Sequence, residues 1–207
     1  MRLLARISVT ILAVVGLGAL VAGAIFIAGG ISARSQPGRM ETFAARRLRS
    51  FGIPRAANQR KNPTAPTPAN LQEGMAHFAD HCAVCHGNDG SGDTDMGRGL
   101  YPRPPDLRKE ATRTLSDGAL LFIIENGVRL TGMPGLGSGT RESEVASWHL
   151  VQFIRHLPSI TDQELEEMQR MNPKSPDEWR QEEEERRFLS GENETTTPPG
   201  KARGGHR

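Results

Sequence analysis

The sequence predicts an all-α protein: a small helical domain with an apolar helix before it and a tail after it. Three observations predict this. Apolar residues recur at helical spacing in several segments, each opened by a Ser, Thr or Asn. No run alternates apolar and polar residues as a half-buried strand would. Proline, glycine and small polar residues fill the gaps. Charge divides the 207 residues in the same way. Residues 1–68 carry ten Lys/Arg against one Asp/Glu, 69–158 eight against eleven, and 159–207 eight against twelve. A basic first third before two mildly acidic ones fits a membrane-proximal stalk and a solvated domain. It argues against nucleic-acid binding, because the positive charge lies off the folded part.

Residues 1–33 read as a transmembrane anchor. Ile7 to Ile31 are almost wholly apolar and uncharged, and about 20 such residues cross a bilayer. A cleaved signal peptide is the alternative. The run exceeds the usual apolar length of a signal, and Ile25-Phe26-Ile27-Ala28 follows the small-residue site around Ala22-Gly23-Ala24. Residues 34–68 read as a basic stalk and Pro-rich tether. Met40, Phe43, Ala44, Leu48 and Phe51 fall at helical spacing among Arg46, Arg47 and Arg49. They fit either an amphipathic helix on anionic lipid or a plain basic stalk. Asn62–Pro68 reads as extended chain.

Residues 69–158 read as the folded domain. Asn70 is a candidate N-cap with Glu73 three residues on. Leu71, Met75, Phe78, Ala79 and Cys82 then share one helical face. Gly87–Asp93 is turn chemistry, and Pro102, Pro104 and Pro105 break any regular element. Ser116 caps a helix to about Glu125, with Gly127 past its end. Thr140 caps a helix carrying Val145, Trp148, Leu150, Phe153, Ile154 and Leu157, and Pro158 stops it. In residues 159–207, Thr161 and Glu164 form a capping-box pattern for a helix over Asp162–Met171. Beyond it, Glu182–Glu185 and the Ser/Thr/Pro/Gly/Arg-rich end have the composition of a disordered tail.

The first of these helices ends on the chemistry. Cys82-Ala83-Val84-Cys85-His86 has the form C-x-x-C-H, the attachment signature of c-type haem, and contains both cysteines of the chain. Two thiols three residues apart can each add to a vinyl group of one haem, and the next histidine reaches the iron. A zinc site lacks a second pair of ligands, and a redox C-x-x-C lacks its βαβ context. His77 and His81, four apart, have no acidic or thiol partner to complete a set and read as helix surface. His149 and His156 read as surface positions on the last domain helix, and His206 lies in the tail. A sixth iron ligand is sought among seven methionines. Met1 and Met40 lie in or near the membrane, Met75 on an apolar helix face, and Met168 and Met171 in the tail. Met96 is ten residues past His86 and would need a tight return. Met133, in the Thr131-Gly132-Met133-Pro134-Gly135 loop, is favoured: small neighbours let the backbone approach a flat ring. A Met/His pair favours ferrous iron and a raised potential.

Leu71–Pro158 resembles a class I monohaem cytochrome c. The resemblance rests on Leu71 and Gly74 with Phe78 before the Cys82–Gly87 motif, the proline loop Pro102–Leu107, and Ile124–Gly127. It continues through the Thr131–Pro134 loop and Trp148, Phe153, Ile154, Leu157 and Pro158. It implies one covalently bound haem c, with Cys82 and Cys85 as thioethers and His86 and Met133 as axial iron ligands. It implies that the first and last helices cross, Gly74 and Phe78 meeting Trp148 and Phe153. It makes the carbonyl of Pro104 or Pro105 the candidate acceptor for His86; Tyr101 or Asn126 could hydrogen-bond the Met133 sulfur or simply pack or cap, Asn126-Gly127 being also an ordinary helix C-terminus. Arg98, Arg103 and Arg129 could meet propionates or simply be surface arginines.

The expected function is one-electron transfer in a respiratory chain, with no catalytic residues and no small-molecule substrate. The alternative is the haem subunit of a quinol-oxidising, dehydrogenase or oxidase complex. Expected partners are redox proteins or integral membrane complexes, and lipid through the first helix. Haem attachment places the domain on the periplasmic side of the cytoplasmic membrane. The five arginines at 34, 39, 46, 47 and 49 oppose that placement, with only two arginines before the apolar run. The rule they follow weakens for long downstream domains.

Overall fold

The computed structural model describes residues 2–28, 30, 32–174 and 176–190. The chain end from 191, with His206, lies outside the described residues, as do Gly29 and Ile31 of the apolar run. Every regular element among the described residues is helical. α1 runs over Arg2–Ala28. Within it, the 20-residue stretch Arg6–Ile25 is long and apolar enough to cross a membrane, since 20 residues rise about 30 Å. α2 follows at Arg39–Gly52 and closes with the Ile53 N–H on the Arg49 carbonyl, 3.2 Å. A single turn, α3, occupies Arg55–Asn58.

The domain is built on a crossing of two helices. α4, Pro68–His77, starts at Thr67, whose hydroxyl accepts from the Asn70 N–H; the expected cap at Asn70 is thus three residues late. Pro68 takes the first helical position, where its missing N–H costs nothing. Asn70 instead turns its amide to the Ala65 carbonyl, 2.8 Å. After three single turns, α5 (Ala83–His86), α6 (Asp95–Arg98) and α7 (Glu110–Arg113), come α8, Asp117–Asn126, and α9, Arg141–His156, which begin at Ser116 and Thr140 as expected, each hydroxyl accepting from the third residue on. α4 crosses α9 at Gly74: a Cβ there would lie 2.2 Å from the His149 carbonyl oxygen. Phe78 and Phe153 meet beside the crossing, ring centroids 5.1 Å apart. With Met75, Trp148, Leu121, Ile124 and Leu157 they form one buried core. Each large apolar side chain buried contributes roughly 1.5–3 kcal/mol.

Two flanking segments dock on this domain, although composition reads them as tether and tail. α10, Asp162–Met171, has the expected capping box at Thr161 and Glu164 and buries Met168 completely in the main cluster. Residues 54–67 are extended beyond α3 but docked. The Ser116 hydroxyl donates to the Asn58 carbonyl at 2.7 Å, the Asn62 amide to the Trp148 carbonyl at 2.9 Å, and the Gln152 amide to the Thr64 hydroxyl at 2.7 Å. Gly118 lets this belt close, since a Cβ there would sit 2.0 Å from the Ala57 oxygen. Last comes α11, Pro176–Ser190, which includes Glu182–Glu185. Composition alone reads that run as tail.

Candidate haem site

The motif sits where α4 changes its winding. Phe78–Cys82 is one π-helical turn, and α5, Ala83–His86, resumes the ordinary pitch. The inserted residue shifts the face that follows. Met75, Phe78 and Ala79 are buried as expected, but Ala83 continues the buried line and Cys82 is half-buried. Cys82 and Cys85 are unpaired thiols. Burial, with Cys85 adding to it, pushes the Cys82 thiol up to about 12, and burial raises Cys85 as well. Reactive C-x-x-C dithiols are shifted the opposite way.

His86 is buried beside Phe78, ring centroids 6.5 Å apart. Its Nδ1 is buried without a well-formed hydrogen bond. The Pro105 carbonyl favours the charged imidazole, but burial outweighs it and holds the group below its usual value. A neutral, oriented imidazole is what an iron ligand requires. Of the two proline carbonyls named from sequence, Pro105 is the one that meets the ring. Two unpaired thiols and a buried imidazole whose Nδ1 lacks a hydrogen bond, within five residues, fit a covalently held haem.

The backbone around His86 is tied down by residues that sequence patterns do not single out. The Gly92 N–H donates to the His86 carbonyl at 2.7 Å, and Leu107 N–H to the Gly90 carbonyl at 2.8 Å. Gly92 has φ +76°, and a Cβ on it would lie 2.4 Å from the Pro104 oxygen. The Thr94 hydroxyl donates to the Val84 carbonyl at 2.9 Å and also caps α6, Asp95–Arg98. Arg108 bridges the two loops: its Nε and NH2 donate to Asp106 at 2.9 and 3.0 Å, and its NH1 to Asp89 at 3.0 Å. Hydrogen bonding to Arg108 holds the Asp106 carboxyl below its usual value, against burial. Spacing carries no signal for this network, because most of its acceptors are backbone carbonyls.

Met133 is half-buried in the loop between α8 and α9, whereas Met96 is 54% exposed on the single turn α6. The Met133 N–H donates to the Thr131 hydroxyl at 3.1 Å, and its carbonyl accepts from Val128 N–H at 3.1 Å. Gly127, at φ +69°, lets the loop fold back: a Cβ there would lie 2.6 Å from the Met133 oxygen. The Tyr101 hydroxyl donates to Glu41 at 2.6 Å, and the Asn126 amide N–H to the Phe122 carbonyl at 2.9 Å. Both groups named for the Met133 sulfur thus spend a donor elsewhere. Arg98 pairs with Asp93 and Asp95 on the surface, and Arg103 and Arg129 are exposed. His77 and His81 stack on each other at 5.7 Å. Among the described residues no three His, Cys, Asp or Glu gather as a metal site.

Two comparisons bear on the site. Residues 69–154 match the family model described as cytochrome c oxidase, cbb3-type, subunit III. The chain is also similar to a thiosulfate dehydrogenase of Stutzerimonas stutzeri (strain A1501), 31% identical over 100 residues, which is 46% of this chain and 31% of that protein. The chain thus spans about a third of the length of that relative.

Proposed function

We propose that the chain is a membrane-tethered one-electron carrier, a reading that starts from what residues 69–154 are: a monohaem c-type cytochrome domain. Such a domain holds one covalently bound haem c and transfers electrons. The finer reading concerns which residues do this and where. Cys82 and Cys85 would hold the haem through thioethers, and His86 and Met133 would ligate its iron. Bound there, the iron supplies a ferric–ferrous couple. The chain does the rest. The Pro105 carbonyl orients the His86 ring, the Phe78–Phe153 core keeps water from it, and the Gly127 fold-back brings Met133 in. With His86 and Met133 both ligating, the site would need no substrate. α1 crosses the cytoplasmic membrane and leaves the domain on its periplasmic face, near respiratory partners.

The observation that carries this reading is the buried, underused His86 imidazole one residue beyond two unpaired thiols. The test is spectroscopic. Holoprotein should give a sharp reduced α-band and a ferric thioether-to-iron band in the near infrared. In Met133→Ala that band should vanish while the haem stays attached; its survival would pass the role to Met96.

A second reading makes the chain the haem subunit of an oxidase or dehydrogenase complex. The names of the matched family and relative favour it, as does α11, which exposes Trp179, Phe188 and Leu189. Stable co-purification with integral subunits, lost when α11 is removed, would select it over a free carrier.

A further inference from the structure

α2 has two sides that want different surroundings. Its only half-buried residues are Thr42 and Arg49, one above the other on the face turned toward the rest of the chain. Beside that face Glu41 accepts from the Tyr101 hydroxyl, and just before the helix the Gln36 amide oxygen, turned to face the guanidinium, accepts from Arg103. Both contacts land on the loop that carries Pro105. The opposite face holds Met40, Phe43, Ala44, Leu48 and Phe51, all exposed, Phe51 by 84%. Arg47 lies over the Phe43 ring at 5.2 Å, and Arg46 flanks the stripe. A helix buries its apolar stripe in its own core where it can. Here the polar side meets the protein and the apolar side is left outward.

We propose that this outward face lies in the headgroup region of the same bilayer that α1 crosses, and that α2 fixes the haem domain's orientation on the membrane. The proposal rests on the anchoring reading above. Two observations name lipid as the occupant. Residues 29–38 alone separate α1 from α2, so at about 3.3–3.6 Å per residue the helix cannot leave the surface by more than roughly 35 Å. The helix also carries four arginines against one glutamate, which suits anionic headgroups around an apolar stripe. The glutamate is the residue committed to Tyr101. The device therefore works as a bracket: lipid on one side, the proline loop on the other.

The test uses full-length holoprotein in anionic vesicles. Its native cysteines are consumed by haem, so one introduced cysteine can carry an environment-sensitive dye. Headgroup-level nitroxide lipid should quench the dye on Phe51→Cys, deeper nitroxides should quench it on Leu12→Cys, and neither should quench it on Ala45→Cys, one turn before Arg49 and off the apolar stripe. Quenching at 12 without quenching at 51 overturns the proposal and leaves the anchor standing. No quenching at 12 overturns the anchoring beneath it. A dye at 51 that is shielded from aqueous iodide yet untouched by nitroxide means that a protein or a second copy covers the face, and also overturns it. A separate readout tests the bracket. Tyr101→Phe should reduce energy transfer from headgroup-labelled donor lipids to the haem, and unchanged transfer would remove Tyr101 as the pin.

Discussion

On the His86 side the chain bonds to itself at each turn between residues 86 and 108. Gly92 holds the His86 carbonyl, Leu107 holds Gly90, Thr94 holds the motif's carbonyls, and Arg108 clamps two loops. On the Met133 side the loop is anchored at its base, where Leu136 N–H reaches the Ile124 carbonyl at 2.9 Å and Gly137 N–H the Glu125 carbonyl at 3.1 Å. At its tip it has little beyond the Thr131 hydroxyl and the Val128 N–H, and Leu130 stands 93% exposed at φ +63°. One proposed ligand is set by a network and the other by a short fold-back. The contrast teaches where each property resides: integrity of the domain on the first side, adjustability of the iron's surroundings on the second.

Gly92→Ala should break the first side hardest. It adds a Cβ into the Pro104 carbonyl at a left-handed φ, and should cost about 2–4 kcal/mol. Urea denaturation of the holoprotein measures it, and a cost below that of a surface substitution would mean the loops are not a unit. Asp106→Asn should cost less, roughly 1–2 kcal/mol at neutral pH, because it removes a charged pair of bonds to a partly exposed arginine. Here pH gives a second handle. The folded carboxyl is held below its ordinary value of 3.8. Its contribution is therefore complete above that value and is lost as pH falls through the folded one. The gap between Asp106→Asn and the parent protein should be full at pH 7 and close in acid; a gap constant with pH would assign the effect to packing. The smallest stability change belongs to the other side. Thr131→Val removes the bond to the Met133 N–H and the 2.7 Å bond to the Val128 carbonyl. It should cost about 1 kcal/mol or less in an exposed loop, yet shift the thioether-to-iron band. If it unfolds the domain instead, the two sides are not as different as their bonding suggests.

Legibility followed the same division. The starts of α8, α9 and α10 were readable because a hydroxyl three residues from its N–H is a local pattern. The meeting of Gly74 and Phe78 with α9 followed from the family resemblance. The start of α4 was displaced because Thr67 precedes a proline that reads as a breaker yet serves as a first helical residue. The π turn over Phe78–Cys82 left no trace in the periodicity, since one inserted residue shifts the face without changing the residue types. The His86 network was invisible because glycine and backbone carbonyls do the work. The docking of residues 54–67 leaves no sequence signal for a related reason. Their composition is that of free chain, and only the positions of Gln152, Ser116 and Gly118 on distant helices reveal that it is held.

That docked belt bears on how such a chain would be shed. A protease cutting between a membrane anchor and the domain would find the exposed stretch around Arg34 and Ser35 easier to unfold into its cleft than 54–67, whose bonds to α8 and α9 must open first. A released form would then keep α2 and the belt. It would enter solution carrying a basic, greasy handle, ready to settle on whatever acidic surface it next meets.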